Sequence, residues 1–532
     1  MTIVTRAYTE RVHPRSHGQL SQDAGNTELL SLLDATCVNF SPTSAVWFLE
    51  PPRNGKSNTV DLIKHLRDAL LSTLEAYPQF CGHLKTVPYR PDEGTSHRQR
   101  FGRLCISYGS SRDPGLELVI AESTMSLEDL VPDSKRDVAL RDMHQIPFES
   151  FVPHTELESP FTPDEDAVNP AVAIQLTKLI CGGTVAAIKM VHAFGDAHSM
   201  AYFAKDWALV SQAMSKNSLL PSLSPVFQPS LLDKQAAGNI DKPDADDTLL
   251  RKAIGLPFHR YDWWTPSECC PWPTEVPEPF KSQPLKPAGN PMPWGQWDVD
   301  APVSHYKIHL SADQIQQIWE TASVNGLHRI SHHDAVVAHL WSCVNRARNL
   351  ELNTDDNLVY CNLVYGVRER MSLGKSFIGS PIVMINVAMN VAEACQTDLT
   401  YLATAIRSTV TKVRPEDLQN HLHAVAYEDA PQRLWQGFLG EKHIMVTSWV
   451  QTPVYAVDFG LGLTPRYVEG VVAAMDGVIQ LKQAPPSIKE TNLEISEKLK
   501  SWYHSGVDIS VNLRTDVMEK LIKDPLLFPS KV

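Results

Sequence analysis

A histidine and an aspartate separated by three residues occur three times in this 532-residue chain, at His192–Asp196, His309–Asp313 and His504–Asp508. An imidazole with a reference pKa of about 6.5 can take a proton near neutral pH, so each histidine is a candidate general base. With 20 histidines in the chain, chance alone gives about one such match. The surroundings of each pair must therefore decide between them.

His192 has the most suitable setting for chemistry. The preceding segment TVAAIKMV, residues 184–191, is typical of a strand, and a side chain at a strand end can leave the sheet and enter a cleft. Ala193 and Gly195 keep the surroundings small, and Gly195 permits a sharp turn. His192 is thus the candidate base and Asp196 its candidate partner, although a hydrogen-bonded buried histidine and a helix-capping aspartate would explain the same spacing.

The other two matches have simpler explanations. In HLSAD, Ser311 is typical of a helix N-cap and Asp313 of a first-turn acid that suits the helix dipole. HSGVD, residues 504–508, has no other chemical group near it in the sequence. A capping box at Ser331–Asp334 predicts a further helix over AVVAHLW.

A second constellation, VTSWVQTPVYAVDFGLG, spans residues 446–462 and ends in a turn-rich stretch. Asp458 can hydrogen-bond local amides there, and Gly460 and Gly462 allow close backbone approach. A kinase is excluded because the chain has no glycine-rich phosphate loop, no V-A-I-K lysine and no H-R-D loop. Neither Gly-Lys-Ser string has the upstream glycine of a P-loop, and no G-x-S-x-G elbow is present.

The composition narrows the class of protein. A net charge of −13 argues against a nucleic-acid partner, because phosphate binding needs a basic face. The nine cysteines form no C-x-x-C pair, which favours a reduced, cytoplasmic protein without a metal site. No run of about eighteen apolar residues predicts a membrane span.

Helical and strand-like patterns alternate in both halves, which predicts a mixed α/β fold. One helix is expected over Thr59–Tyr77, with Pro78 ending it, and another should carry Met200, Phe203 and Trp207 on one side. The chain length calls for more than one core. We therefore predict an N-terminal domain over residues 1–220 and a C-terminal domain over residues 303–532.

Residues 221–302 form a long crossover rich in proline, which long helices and central strands do not tolerate. The crossover also contains a set of tryptophans, namely Trp263, Trp264, Trp272, Trp294 and Trp297. Exposed tryptophans are costly, so we expect this segment to pack against the domains. It could serve as structural filling between them or as a wall of an acceptor pocket.

Taken in order, these segments resemble the BAHD acyltransferase family over nearly the whole chain. The resemblance rests on YPQFCGHL, the HAFGD segment, HDAVVAHLW, YGVRERM followed by SFIGSPIV, and TSW with DFGLG. The length and the long crossover are more similar to the fungal branch, which includes trichothecene 3-O-acetyltransferases. The fold implied is two chloramphenicol-acetyltransferase-like α/β domains that face each other across a channel.

The resemblance also implies roles for individual residues. His192 would take the acceptor proton directly, and Asp196 would pair with Arg368 to hold the loop. Thr447 and Trp449 would stabilise the oxyanion, although core packing would equally explain the tryptophan. Two sequence departures are visible, since DFGWG becomes DFGLG at Leu461 and the family's Gly-Asn becomes Gly-Ser.

Further site residues follow from the same resemblance. Gly379 and Ser380 stand at the Gly-Asn position and would contact the cofactor, while Asp458, Gly460 and Gly462 would give structural support. The implied activity is transfer of an acyl group, acetyl by default, from coenzyme A to a hydroxylated secondary metabolite by a monomer that binds no nucleic acid and no membrane. An amine acceptor is the other option.

Other activities remain open. Peptide-bond-forming condensation domains share the fold type but carry HHxxxDG, whereas here Val191 precedes His192 and Ala197 follows Asp196. A cyclase or isomerase could reuse the same histidine, and a non-catalytic binding protein could keep the same scaffold. Acceptor-dependent release of free thiol from acetyl-coenzyme A would separate a transferase from the last two.

Overall fold

The structure of the chain, a computed structural model, describes residues 3–22, 25–52, 61–87, 96–160, 169–267, 269–271, 276, 281, 285–324, 329–350, 357–486 and 501–529. The strands within these residues are β1 (Val4–Val12), β2 (Asn26–Leu29), β3 (Thr43–Leu49), β4 (His83–Thr86), β5 (Leu104–Tyr108), β6 (Leu116–Ser123), β7 (Leu140–Asp142), β8 (Val172–Lys178), β9 (Thr184–Met190), β10 (Tyr261–Asp262), β11 (Asn290–Pro291), β12 (Val303–Leu310), β13 (Leu358–Gly366), β14 (Ile382–Asn390), β15 (Leu434–Trp435), β16 (His443–Ser448), β17 (Pro465–Gly470), β18 (Val478–Gln483) and β19 (Val507–Arg514). The α-helices are α1 (Leu32–Thr36), α2 (Leu62–Thr73), α3 (Leu127–Leu130), α4 (Ala197–Ser215), α5 (Ser230–Asp233), α6 (Asp247–Ile254), α7 (Ala312–Ala322), α8 (His332–Arg348), α9 (Val391–Ala394), α10 (Leu399–Thr411), α11 (Pro415–Ala426) and α12 (Thr515–Leu521).

The helices begin where capping residues predict them. Ser311 and Ser331 cap α7 and α8 through reciprocal capping boxes, as expected from the sequence. The helix expected over residues 59–77 is present as α2, but it starts at Leu62 because the side chain of Asp61 accepts a hydrogen bond from the amide of Lys64. It ends at Thr73, and a 3-10 turn over Leu74–Ala76 follows before Pro78. Among the described residues, no helix has both the length and the apolar character that crossing a bilayer requires.

Within the described part of the chain, the first sheet has six strands in the order β1-β6-β8-β9-β3-β17. Its core side packs against α2 and α4, where Met200, Phe203 and Trp207 are fully buried as predicted. The edge strand β17 comes from the far end of the sequence and pairs antiparallel with β3, Gly470 opposite Ala45. A segment of the second half thus completes the sheet that carries His192.

Seven strands of the described residues form the second sheet, in the order β14-β13-β16-β18-β19-β12-β7. Alternate side chains, such as Ile479 and Leu481 on β18, pack into the core formed with α7, α8 and α10. Gln480 lies between them and Lys482 follows Leu481, and both point to the opposite face. The short strand β7 from the first half closes one edge, so each sheet borrows a strand from the other half. The predicted mixed α/β fold is confirmed.

The crossover packs against the rest of the chain, as its tryptophans predict. Strand β10 pairs with β11 and with β15, which forms a small three-stranded sheet. Trp264 and Trp294 are buried, and Trp263 and Trp297 are partly buried against them. Trp272 lies outside the described residues.

Candidate active site

His192 lies directly after a central strand of the first sheet. Strand β9 ends at Met190, and a single 3-10 turn over His192–Phe194 leads into α4. The prediction of a sharp turn at Gly195 is wrong, because the backbone of this glycine is extended, with a φ of −178°. A Cβ at Gly195 would lie 2.9 Å from Cβ of Ser199 and 3.1 Å from Sδ of Met190. The glycine therefore serves close packing beneath the histidine turn.

The imidazole of His192 is half-buried between a serine and a phenylalanine. The hydroxyl of Ser380 donates a hydrogen bond to the backbone carbonyl of His192 and lies 3.4 Å from its Nδ1. The Phe40 ring meets the imidazole at a steep angle, with centroids 5.2 Å apart. Among the described residues no hydrogen bond engages Nε2, which leaves this nitrogen for a substrate.

The environment keeps His192 neutral near pH 7. Burial lowers the pKa of His192 below its ordinary value of 6.5, and the negative charge of Asp196 opposes this only in part. Because the Ser380 proton is committed to a carbonyl, the lone pair of its hydroxyl oxygen favours the tautomer with hydrogen on Nδ1. Nε2 then carries the lone pair that a general base requires.

The carboxylate of Asp196 is engaged by partners other than His192. It accepts a hydrogen bond of 3.0 Å from the amide of Ser199, which caps α4, and pairs with both terminal nitrogens of Arg368. Arg368 also donates to the carbonyl of Gly379 at 2.8 Å. Burial alone would raise the pKa of Asp196, but the charge of Arg368 outweighs it and the pKa is lowered. The ion pair thus fastens α4 to the loop that carries Ser380.

Thr447 and Trp449 belong to the second sheet and the turn after it, on the side of the first-sheet end at which His192 emerges. Trp449 is buried, and a Cβ at Gly470, at the end of β17, would lie 2.7 Å from its ring. In the first sheet, β17 adjoins β3, and β3 adjoins β9 with Thr43 opposite Met190. Gly470 is therefore two strand spacings of about 4.8 Å from β9, level with Ile188, and His192 lies four residues further along the chain. No hydrogen bond among the described residues joins Thr447 or Trp449 to His192.

The DFGLG segment packs on α4 rather than on His192. The carbonyls of Asp458 and Phe459 accept hydrogen bonds, each of 2.6 Å, from the side chains of Gln212 and Ser211 on that helix. Gly460, Leu461 and Gly462 all have positive φ, 78°, 56° and 93°. The first and last positions therefore suit glycine, whereas Leu461 holds a conformation that costs a leucine energy.

In the two remaining matches, the histidine of one pairs with the aspartate of the other. His309 of the first pairs with Asp508 of the last, Nδ1 to Oδ1 at 2.8 Å, and Lys307 lies 3.3 Å from the same carboxylate. Burial would raise the pKa of Asp508, but the charge of Lys307 prevails and lowers it. Asp313 stands in the first turn of α7, as predicted. Both histidine–aspartate matches therefore have structural explanations.

This arrangement has counterparts among known proteins. The sequence profile of the Transferase family matches residues 3–244 and 297–500. The chain belongs to the Transferase family. It is an acyltransferase of the BAHD type that its motifs resemble.

Fungal relatives are similar to this family member over most of their length. Acyltransferase AFT15-1 of Alternaria alternata is 26% identical over 504 residues, which cover 91% of this chain and 90% of that protein. Acyltransferase abl6 of Leptosphaeria maculans is 24% identical over 529 residues, covering 98% and 97%. The crystal structure of F. graminearum TRI101 with coenzyme A and T-2 mycotoxin has a TM-score of 0.64 at 15% identity, covering 94% of this chain and 98% of that one. The resemblance to the fungal branch and the predicted two-domain fold are confirmed.

One residue of the site was missed from the sequence. Asp34 is fully buried on α1, and its carboxylate accepts the backbone amide of Ser380 at 2.5 Å. Burial raises the pKa of Asp34 to about 6. The string Ser31-Leu-Leu-Asp34 is a capping box of the same kind as Ser331–Asp334, and this was the available signal. Its contact with the loop at Ser380, 346 positions away, has no local signature.

Proposed function

We propose that this acyltransferase moves an acyl group, acetyl in the first instance, from a coenzyme A thioester to a hydroxyl group of a small-molecule secondary metabolite. The observation that carries the proposal is the position of the His192 imidazole after β9, with Nδ1 facing Ser380 and, among the described residues, no hydrogen bond to Nε2. Solved structures of TRI101 hold coenzyme A with T-2 mycotoxin or with deoxynivalenol, which supports a thioester donor and a hydroxylated acceptor.

The reaction proceeds in a ternary complex without an acyl-enzyme. Nε2 of His192 removes the acceptor proton while the acceptor oxygen attacks the thioester carbonyl carbon. The new carbon–oxygen bond forms, the carbonyl oxygen gains a negative charge, and collapse of this intermediate breaks the carbon–sulfur bond. The leaving thiolate takes the proton from the imidazolium. General-base assistance of this kind contributes about 10²–10⁴ in rate.

The oxyanion needs a donor on the side opposite the base. Thr447 and Trp449 are the proposed donors, since their segment approaches the sheet end at which His192 emerges. One donor aimed at an oxyanion contributes about 10²–10³ in kcat. Thr447 also stands opposite Gln480 in the register of β16 and β18. This register directs the Thr447 side chain to the face of the second sheet that is turned away from its helical layer.

The loop at Gly379–Ser380, expected to contact the cofactor, has a different role in this proposal. Ser380 is fully buried and hydrogen-bonds His192, while the carbonyl of Gly379 accepts from Arg368. We assign Ser380 the positioning of the imidazole. Asp458, Gly460 and Gly462 support α4 from the other side.

The two halves of the chain have distinct places in this mechanism. Residues 1–220 and 303–532 provide most of the two domains, which exchange the edge strands β7 and β17, and the crossover at 221–302 joins them. The donor and the acceptor reach His192 from opposite faces. A single chain supplies all the proposed groups, so a monomer suffices.

A thiol-release assay tests the proposed function. Purified protein with acetyl-coenzyme A should release free thiol only when a hydroxylated acceptor is added, and the product should gain one acetyl group by mass spectrometry. A His192→Gln variant, similar in size but unable to act as the base, should lose about 10²–10⁴ of the rate. An acceptor consumed without thiol release would instead indicate a cyclase or isomerase, and equal turnover by the glutamine variant would end the mechanism.

A further inference from the structure

Three partly exposed aromatic rings form a row that begins at His192. Phe40 contacts His192, Trp435 lies 4.8 Å from Phe40, and Trp263 lies 4.9 Å from Trp435, all between ring centroids. These three rings, called the aromatic wall, each keep part of their surface open. Contiguous exposed aromatic surface beside a reactive nitrogen is typical of a ligand-binding site.

The aromatic wall is fixed by three distant parts of the chain. Phe40 follows α1, and its neighbour Asn39 donates a 2.8 Å hydrogen bond to the carbonyl of Gln432, just before β15. Trp435 lies on β15, whose pairing with β10 brings it opposite Tyr261 of the crossover. The amide of Trp263 donates to the carbonyl of Arg433 at 2.8 Å. The rings are therefore held in place before any ligand arrives.

The charged groups behind the aromatic wall are already paired. Asp262 is fully buried against Arg433, with the closest nitrogen and oxygen 2.6 Å apart. Arg260 forms a second, partly buried pair with Glu428. These described charges beside the rings are thus held in neutral pairs, and the rings offer apolar area, which disfavours an ionic ligand.

We propose that the aromatic wall binds the acceptor, and that the acceptor is a flat, uncharged, unsaturated ring system with its reacting hydroxyl at one edge. This inference rests on the proposed function. Aromatic rings attract other rings at centroid distances of about 4.5–7 Å beyond the effect of buried area. Phe40 and Trp435 meet edge to face, with 73° between their planes, so a flat ring that stacks on one of them meets the edge of the other. Because Phe40 also contacts His192, a ring held there places a hydroxyl on its edge beside the histidine. Polyamines and phosphorylated alcohols are poor fits for this surface.

Calorimetry with two matched probes tests this inference. The probes are 2-naphthalenemethanol and its saturated counterpart decahydronaphthalene-2-methanol, which share a carbon skeleton and a primary hydroxyl. Titrated into the His192→Gln protein with coenzyme A present, the flat probe should bind about tenfold more tightly. A third probe, 6-hydroxymethyl-2-naphthoate, carries a carboxylate and should bind more weakly than the flat alcohol. Equal affinity for the flat and saturated probes, or no binding of the flat one, would overturn the inference.

Substitutions locate the preference on the wall. Trp435→Leu and Trp263→Leu should each reduce, severalfold, the ratio of the affinity for the flat probe to the affinity for the saturated probe. Trp435→Phe keeps a ring and should retain most of this ratio. Trp502→Leu is the matched control, because Trp502 is a partly exposed tryptophan that packs on Tyr503 and His333 instead. An unchanged ratio in both wall variants would refute the assignment.

These binding experiments stand apart from catalysis. Preferential binding without any acyl transfer would support the aromatic wall and reject the proposed function. Acyl transfer to other alcohols without preferential binding of the flat probe would support the proposed function and reject the aromatic wall as the acceptor site.

Discussion

The hydroxyl of Ser380 hydrogen-bonds the backbone carbonyl of His192 and lies 3.4 Å from Nδ1 of the same residue. One side chain thus contacts both the main chain and the ring of the candidate base. Its own amide is held by the buried carboxylate of Asp34, so the serine has little freedom to move. The orientation of the imidazole is consequently set by a residue 188 positions away in sequence.

Replacing Ser380 by alanine should reduce kcat while leaving the KM for acetyl-coenzyme A nearly unchanged. The variant keeps the His192 base but loses the hydroxyl that fixes the tautomer of its imidazole. We therefore expect kcat to fall about tenfold, which is part of the 10²–10⁴ in rate that general-base catalysis contributes. Steady-state kinetics with varied donor concentration separates the two parameters. Ser380→Asn, the residue more usual in the family, can donate and accept and should recover most of the rate. A large rise in donor KM without a fall in kcat would favour cofactor contact instead.

The pH dependence of kcat/KM should follow the titration of His192. A protonated imidazole cannot accept a proton. Activity is therefore full above the pKa of His192 and is lost as the pH falls through that pKa. Since burial lowers that pKa, the midpoint of this acid limb should lie below the ordinary value of 6.5. Asp196→Asn removes the charge that raises the pKa and should move the limb further down. A limb centred above 6.5, or one that persists in His192→Gln, would contradict the assignment.

Local features of the site could be predicted from the sequence. The strand before His192, the helix after Asp196 and the caps at Ser311 and Ser331 depend on neighbouring residues, and all are present. Hydrogen bonds between a side chain and amides two or three positions away are encoded within a few residues.

The contacts that assemble the site could not be predicted in this way. The pairing of β17 with β3 joins residues more than 400 positions apart and depends on which sheet edge is left open. His309 and Asp508 come from two different histidine–aspartate matches and pair across the neighbouring strands β12 and β19. The spacing of residues along one strand cannot reveal such a contact. The contact between Ser380 and His192 likewise required the fold.

Removing the carboxylate in Asp196→Ala should lower both folding yield and activity. It leaves the buried guanidinium of Arg368 without its charged partner, which costs roughly 3–5 kcal/mol. Chemical denaturation and soluble yield report the first effect, and thiol release reports the second. The double variant Asp196→Asn/Arg368→Gln removes both charges and should regain stability without regaining full activity. A well-folded Asp196→Ala protein with full turnover would reject the structural role.

Thr447→Val should reduce kcat more than it raises the KM for the acyl donor. Valine keeps the shape of threonine and its place in β16 but cannot donate to an oxyanion, so a loss of about 10²–10³ in kcat is expected. Thr447→Ser keeps the hydroxyl and should retain most of the rate. A pure KM effect would remove Thr447 from the mechanism.

Gly195→Ala should impair catalysis through packing alone. The added methyl group would meet Ser199 and Met190 at 2.9 and 3.1 Å, closer than ordinary contact, so the turn carrying His192 must move relative to α4. Overpacking of this kind costs about 1–3 kcal/mol, and a 1 Å shift of a reacting group can cost about a hundredfold in rate. Gly366→Ala is the matched control, because nothing lies within 4 Å of a Cβ there and its φ is not positive. We expect kcat to fall in the first variant while the second behaves as the native protein. If both variants retained native kcat and thermal stability, the close approach of α4 to the histidine turn would not be required for activity.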